Sequence, residues 1–458
     1  MTRPDATELA RLVRAGELAP LDPARDVLAA LSEHDGAAVT AVVAADDLRC
    51  DDPTGALAGV PILLKELGTH AAGLPNREGL RFPGGDPDPV PIDAAFVARL
   101  RAAGAVIVGS TATTEMGLTA RLDGRPGTVP VHPRHPEHTP GGSSTGAAVA
   151  VASDLVPIAH GTDGGGSIRI PAAFCGLVGL KPSRGTVSFG PVIGDTLGSL
   201  AVNFGLTRSV RDAALLLDVV AGAEPGDPYG GPVPPASGYA AAIAEPGRPL
   251  RIAVCLDVPD GAGPVDPEVA ECVHHVARTL VELGHHVEER PGWLFGNRRT
   301  RDAMAVVWTA MAAEGARRAL ARDAQLGAGA AALAAEGERH SAGDLAAALA
   351  QLSAVARRME RGALAGVDLV LSPVCPTPPP VVRPAGPTSA DEILRETLDE
   401  LLVFTYGANA TGQPAISVPS GLFPSGLPAA VQLLGRWGSE AMLLSVAAAL
   451  EAVTAVSG

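Results

Sequence analysis

Residues 139–171 read Thr139-Pro140-Gly141-Gly142-Ser143-Ser144-Thr145-Gly146-Ala147-Ala148-Val149-Ala150-Val151-Ala152-Ser153-Asp154-Leu155-Val156-Pro157-Ile158-Ala159-His160-Gly161-Thr162-Asp163-Gly164-Gly165-Gly166-Ser167-Ile168-Arg169-Ile170-Pro171. Two serine-bearing, glycine-rich turns are joined here by one short unit. That unit is a small-residue helix at 147–152 followed by a buried strand, Val156-Pro157-Ile158-Ala159. A glycine run lets the backbone approach a ligand closely and turn its N–H groups toward one point. Set just before a nucleophilic serine, such groups can hold the oxyanion of an acyl-transfer intermediate.

The same alternation of helix and strand continues on both sides. Towards the N-terminus, a helix at about 6–32 precedes a strand at 39–43, and a helix at about 92–103 leads into a strand at 105–108. Beyond the quoted stretch, 176–180 reads as a strand, and Ser209-Val210-Arg211-Asp212 opens a helix with a capping-box pattern that ends near Gly222. A Pro/Gly-rich connection at 225–249 leads to a strand at 251–255, a helix at 267–283 and a strand near 285–289. Residues 299–364 are Ala-rich and helical with a break around 325–342, and strands follow at 368–372, 415–418 and 429–434 before a last helix at 438–452. Such alternation predicts one large α/β domain over 1–458, with a mixed, mostly parallel sheet covered by helices on both faces. That domain is expected to carry a helical subregion at about 290–365. The proline run at 373–388 reads as a loop.

Composition excludes several classes. Hydrophobic residues make up 47% and charged ones 19%, so a large core is available and disorder is not expected. A net charge of −15 argues against a nucleic-acid partner, which needs a basic face. No apolar run is long enough to span a membrane, and no signal peptide is expected from residues 1–8, which run into a polar amphipathic helix. The five cysteines are scattered without a CxxC pair, as expected of free thiols in the cytoplasm. The expected partner is a small molecule, and a homodimer is the assembly to test for.

Only two lysines, Lys65 and Lys181, stand among 35 basic residues. Guanidinium stays protonated, whereas a buried ammonium can lose its proton and act as a base. Lys65 closes the apolar stretch Gly59-Val60-Pro61-Ile62-Leu63-Leu64, which carries it inward. Drift from lysine to arginine explains the scarcity itself, so rarity alone does not assign a role.

Gly142-Ser143-Ser144-Thr145-Gly146 satisfies the G-x-S-x-G pattern of a nucleophile elbow, but that motif needs a strand immediately before the serine. Residues 132–140 contain three prolines and cannot supply a central strand. The three segments 59–65, 141–144 and 161–171, taken in order, instead resemble the amidase signature family. The similarity continues through Cys175-Gly176-Leu177-Val178-Gly179-Leu180-Lys181-Pro182, residues 206–212, residues 411–419 and residues 431–435. It is weakest across 225–400.

The resemblance implies an amide hydrolase without metal or organic cofactor, acting on linear carboxylic amides. Its Ser–cis-Ser–Lys triad falls on Ser167, Ser143 and Lys65. Ser167 is the implied nucleophile, Ser143 the proton relay and Lys65 the base. The N–H groups of residues 164–167, through Gly164, Gly165 and Gly166, form the implied oxyanion hole. Met116 matches a segment lining the acyl pocket, although core packing accounts for it equally well. Asp163, Arg169 and Ser144 are supporting residues, the first two as a brace for the nucleophile's loop. The resemblance places substrate contacts in the family's most variable stretches, here about 290–365, the variable helical subregion of the domain, and 380–410. Gly164, Glu66 and Thr145 depart from the family's usual residues, which bears on rate and substrate choice.

Other candidates read as structural. Lys181 lies in a Leu-Lys-Pro turn with no serine nearby, and nothing near Cys175 would lower its thiol pKa. His132, His135 and His138 sit in a proline-rich loop without a companion ligand set, so they read as solvated histidines rather than a metal site. Two alternatives to a hydrolase use the same residues. One is an acyl-transfer or amide-forming enzyme, including the A-type subunit of a glutamine-dependent amidotransferase; the other is a scaffold that has lost catalysis.

Overall fold

Apolar segments of four to eight residues pair edge to edge into one 11-stranded sheet in the computed structural model, which describes residues 3–33, 37–124, 128–244, 247–259, 261–292 and 298–457. In chain order the strands are β1 (Val39–Val42), β2 (Pro61–Lys65), β3 (Val106–Thr111), β4 (Ile158–Asp163), β5 (Val178–Lys181) and β6 (Val202–Thr207). They continue as β7 (Arg251–Val254), β8 (His286–Glu289), β9 (Leu369–Pro373), β10 (Ala415–Leu422) and β11 (Pro428–Gly435). Their order across the sheet is β1-β3-β2-β4-β6-β5-β10-β11-β9-β7-β8. Every residue of β2, β3, β4, β5, β6, β9 and β11 is buried, as in a sheet flanked by helices. The edge strand β8 is polar and largely exposed, which discourages pairing with another chain.

The sheet is mixed, as expected, but the expectation that it is mostly parallel is corrected. Only β2–β3, β2–β4, β7–β8 and β7–β9 pair in parallel, and the other six pairings are antiparallel. The excess comes from the middle of the sheet, where β5, β6, β10 and β11 meet. The strand β6 is absent from the sequence reading because Asn203 and Gly205 interrupt its apolar run. Both have reasons to be there: Asn203 bonds His160, and Gly205 leaves room for Leu216.

Two helical expectations are corrected in kind, and the helices expected at 92–103 and 438–452 run over Ala95–Ala102 and Glu440–Ser457. The expected helix at 6–32 is two helices, Ala6–Arg14 and Asp22–Glu33, parted where Gly16 adopts φ +73°. The break at 325–342 holds its own helix, Ala328–Gly337, between Arg298–Leu320 and Ala342–Arg361. Residues 293–297 of the variable subregion lie outside the described residues. The Ser209 side chain caps Val210–Val220 through Asp212 N. Asp212 does not complete the box, because its carboxylate accepts from Ala6 N and Thr7 N at 2.9 Å each and so pins the first helix to this one.

The core is built from small aliphatic side chains. One cluster joins the sheet to the helices Thr145–Ala152, Val210–Val220 and Glu440–Ser457. A second cluster gathers Trp308, Leu333, Leu352, Leu402 and Tyr406 around Ile170. In the first, Gly146 lets the helix at 145–152 come so close that an added Cβ would lie 2.3 Å from Ala38 O. That helix hangs directly from the Ser143 turn, so its tight seat positions the turn.

Candidate active site

Strands β2 and β4 run parallel with Ile62 opposite Ile158 and Leu63 opposite Ala159, so their C-terminal ends lie side by side. Such ends are where α/β sheets present their functional groups. Lys65 is the last residue of β2, and Thr162 and Asp163 are the last two of β4. Alternation along β4 sends His160 and Thr162 to one side and Asp163 to the other. These two sides are chemically distinct.

On the first side, Lys65 is buried, 1% exposed, and its Nζ lies 2.8 Å from Ser143 Oγ and 2.8 Å from Thr162 Oγ1. Burial lowers the Lys65 pKa from 10.5 to about 7, against the opposing pull of the Asp163 charge. A neutral amine that donates to Thr162 keeps its lone pair for the Ser143 proton. The Lys65 backbone N–H donates to His160 Nδ1 at 3.2 Å, so the His160 proton sits on Nε2 and is donated to Asn203 Oδ1 at 3.0 Å. Burial pushes His160 down to about 3, which keeps this support uncharged beside the lysine.

The Gly142–Ser143 peptide bond is cis, as the resemblance implied. Backbone bonds stitch this turn to its neighbours: Thr114 N donates to Ser143 O, and Ser144 N donates to Ser167 O, both at 3.3 Å. Ser144 Oγ donates to the Thr162 carbonyl at 3.3 Å, which occupies it in holding the turn. No strand of the described residues runs directly into Ser144, in keeping with the rejection of the elbow.

Ser167 follows the three glycines, is 5% exposed, and makes no hydrogen bond through its hydroxyl to any described residue. Nor do the N–H groups of Gly164, Gly165, Gly166 and Ser167 donate to any described residue. The next two N–H groups, of Ile168 and Arg169, are taken by Asp163 Oδ2 at 3.2 and 3.5 Å. Four consecutive unengaged N–H groups thus lie beside a hydroxyl in a buried turn. Such a set can stabilise a developing oxyanion. At Gly166 the backbone, at φ +145°, and the 2.4 Å left between an added Cβ and Thr405 Oγ1 both require glycine.

On the second side, Asp163 and Arg169 form a two-pronged pair with both bonds at 2.9 Å and both residues fully buried. Burial acts to raise the Asp163 pKa, but Arg169 and the Asn409 amide outweigh it and hold the carboxyl at about 2. Arg169 NH1 donates to Gln432 Oε1 at 2.7 Å and to Thr405 O at 2.9 Å, and NH2 to Asn409 Oδ1 at 2.7 Å. Asn409 returns bonds to the Asp163 carbonyl and carboxylate at 2.7 and 2.9 Å. The Ser167 turn is therefore tied to β11 and to the helix Tyr406–Thr411.

The sequence reading missed Thr162, His160, Asn203, Asn409, Gln432 and Thr405. Alternation along β4 was the available signal for the first two. The others come from distant segments of the chain: Gln432 lies in the 431–435 segment of the resemblance, and Asn203, Thr405 and Asn409 leave no local trace.

The remaining candidates separate clearly. Lys181 is also fully buried and also lowered to about 7 by burial, so burial does not tell the two lysines apart. Partners do: Lys181 Nζ donates to the Pro182 carbonyl at 2.7 Å, which cannot pass on a proton. Burial raises the Cys175 thiol well above its ordinary pKa. His132 is not solvated, correcting the expectation. It is 2% exposed, its Nδ1 accepts from the N–H groups of Arg134 and His135, and its Nε2 donates to Phe174 O at 2.9 Å. Met116 is half-buried at φ +49° and packs against the second core cluster. A cavity of about 170 Å³ lies next to the Ser143 turn, between Thr114, Leu118 and Ala120 on one side and Leu333, Ile393 and Leu401 on the other. It draws on the segments expected to vary, but Met116 and the three candidate catalytic side chains do not line it.

The Amidase family model matches residues 24–444. A 6-aminohexanoate-cyclic-dimer hydrolase of Paenarthrobacter ureafaciens is 34% identical, covering 98% of this chain and 94% of that protein. The A-type subunit of the glutamyl-tRNA(Gln) amidotransferase of Thermus thermophilus is also 34% identical, covering 98% and 97%. Among solved structures, a bacterial aryl acylamidase of the amidase signature family superposes with a TM-score of 0.86 at 26% identity, covering 98% of this chain and 96% of that one. A match across nearly the whole length, by sequence and by fold together, places this chain in the amidase signature family of amide-hydrolysing enzymes.

Proposed function

We propose that this protein hydrolyses the C–N bond of a carboxylic amide through an acyl ester on Ser167. The observation that carries this reading is the 2.8 Å contact between Lys65 Nζ and Ser143 Oγ, next to a turn with four unengaged N–H groups. Ser167 Oγ attacks the amide carbonyl, and its proton passes through the Ser143 hydroxyl to neutral Lys65. The carbonyl oxygen, now negative, is received by the N–H groups of residues 164–167. Collapse breaks the C–N bond, and the amine leaves with the proton returned by the same route. Water then attacks the ester, frees the acid and restores Ser167. A curated relative is named for a cyclic dimer, so ring-closed amides stand beside linear ones in the proposed substrate class.

The five free thiols support the cytoplasm as its place of work. Incubation with a panel of aliphatic, aryl and cyclic amides tests the reading. It expects release of acid and amine in equal amounts by the purified chain alone, with an acyl adduct trapped by rapid acid quench. Amine release without any acyl adduct under single-turnover conditions contradicts it.

A second reading rests on the likeness to one component of a tRNA-dependent amidotransferase. In it the ammonia freed at the same serine is passed to an acceptor bound by a partner chain. Co-purification of a stoichiometric partner from the native cell, with ammonia release dependent on it, distinguishes this case.

A further inference from the structure

The three glycines ahead of Ser167 stand against side chains from elsewhere, for different reasons. Gly166 is required by its backbone, and at Gly165 an added Cβ would press on Leu402 Cδ2 at 2.5 Å. Like Gly165, Gly164 has a φ outside the left-handed region, so its backbone does not call for glycine. A Cβ there would meet only Leu197 Cδ2, at 2.8 Å, and Ala201 Cβ, at 3.8 Å. Glycine at 164 makes room for one side chain.

Leu197 is itself held in an uncommon conformation. It has φ +53° and is followed by Gly198 at +60° and Ser199 at +64°, three left-handed residues in a row. Leucine and serine stay there only where the surroundings hold them. Here Arg184 Nε donates to Ser199 O at 2.6 Å, and Ser199 Oγ donates to Asp195 Oδ1 at 2.9 Å. Gly198 is pressed against Leu349 of the helix Ala342–Arg361, with 3.0 Å left for a Cβ. The loop at 191–200 thereby drives Leu197 onto the nucleophile turn. Trp308 and Leu402 beside it are buried, but Leu197 and Met116 keep part of their surface open.

We propose that Leu197 is a specificity-determining residue, the wall that confines the acyl group next to Ser167 to a slender, unbranched chain. This rests on the reading of Ser167 as nucleophile. Residue 164 sets how far the wall can stand in, so the two positions act as a pair. A larger side chain at 164 pushes Leu197 outward, and a smaller one at 197 opens space beside the scissile carbonyl.

Initial rates on p-nitroanilides of straight-chain and α-branched acids, with Leu197→Ala, Gly164→Ala and the double variant, test it. Leu197→Ala is expected to raise kcat/KM for branched over straight acyl groups by about tenfold, chiefly through KM, the effect of roughly one methylene in such a pocket. Gly164→Ala lowers rates on all substrates, and adding Leu197→Ala recovers most of the loss. Leu197→Met, which keeps the volume, retains the wild-type preference. Fluorophosphonate labelling of Ser167 reports the nucleophile independently. If Ser167 is labelled in every variant while the acyl preference stays fixed and the two losses simply add, Leu197 only packs its loop. The inference then fails, and the nucleophile reading stands. If wild-type Ser167 is not labelled, the nucleophile reading fails and the role of Leu197 as acyl-pocket wall fails with it.

Discussion

Lys65→Met lowers kcat/KM for amide cleavage by about 10²–10⁴-fold, the range for losing a positioned general base. Methionine matches the buried stem of the lysine and removes only the amine that lies 2.8 Å from Ser143 Oγ. With its pKa at about 7, Lys65 is charged and unable to accept a proton below that pH, so activity rises with pH through about 7. The residual activity of Lys65→Met lacks this acid limb. Lys65→Arg is as inactive as Lys65→Met, because guanidinium does not give up its proton. Stability follows the same sign. The unfolded lysine takes up a proton more readily than the folded one, so burying the charge costs the fold most below about 7, and stability rises as pH climbs from there towards 10.5. Lys181 titrates in the same direction and contributes to that stability profile. Only Lys65 shapes the rate profile, so Lys181→Met keeps the acid limb. Amine release by wild type and these variants, measured across about pH 5–9, is the check.

Arg169→Met destabilises the protein by about 3–5 kcal/mol, the cost of leaving one member of a buried ion pair without its partner. Asp163 is then buried with the Asn409 amide but without its ion-pair partner, and the Gln432 and Asn409 oxygens lose their donor as well. Urea denaturation of wild type and variant reads the difference. Its pH dependence carries a second signature. In the wild type the Asp163 carboxyl is held at about 2, below its ordinary 3.8, so its contribution is full above about 4 and is lost only as pH falls towards 2. Without Arg169 the carboxyl protonates at higher pH, and acid unfolding of the variant begins earlier. Catalysis falls too, since Asp163 Oδ2 holds the Ile168 N–H immediately after Ser167. The pair is thus a positioning device for the turn.

Much of this was legible in the sequence because it is local. The glycine–serine turns, the strand between them and the lysine at the end of an apolar run are patterns of a few residues, and their joint order pointed to the family. Strand order was not legible. Whether β4 pairs with β5 or β6 is decided by contacts across the sheet, and β6 carries an asparagine and a glycine that hide it. Lys181 marks another limit. Its burial and lowered pKa equal those of Lys65, and only the acceptor at Nζ, the Pro182 carbonyl rather than two hydroxyls, sets it apart. His132 shows the reverse case. A histidine among prolines reads as solvated, but the loop folds back on Phe174 and buries it.

The assignment of Ser167 as nucleophile is tested most directly by labelling the purified protein with a fluorophosphonate and locating the adduct by peptide mass spectrometry. One adduct per chain on Ser167, abolished in Ser167→Ala and strongly slowed in Lys65→Met, is the result expected. An adduct on Ser144 or Ser143 with Ser167 unmodified, or labelling that survives Ser167→Ala, contradicts the account.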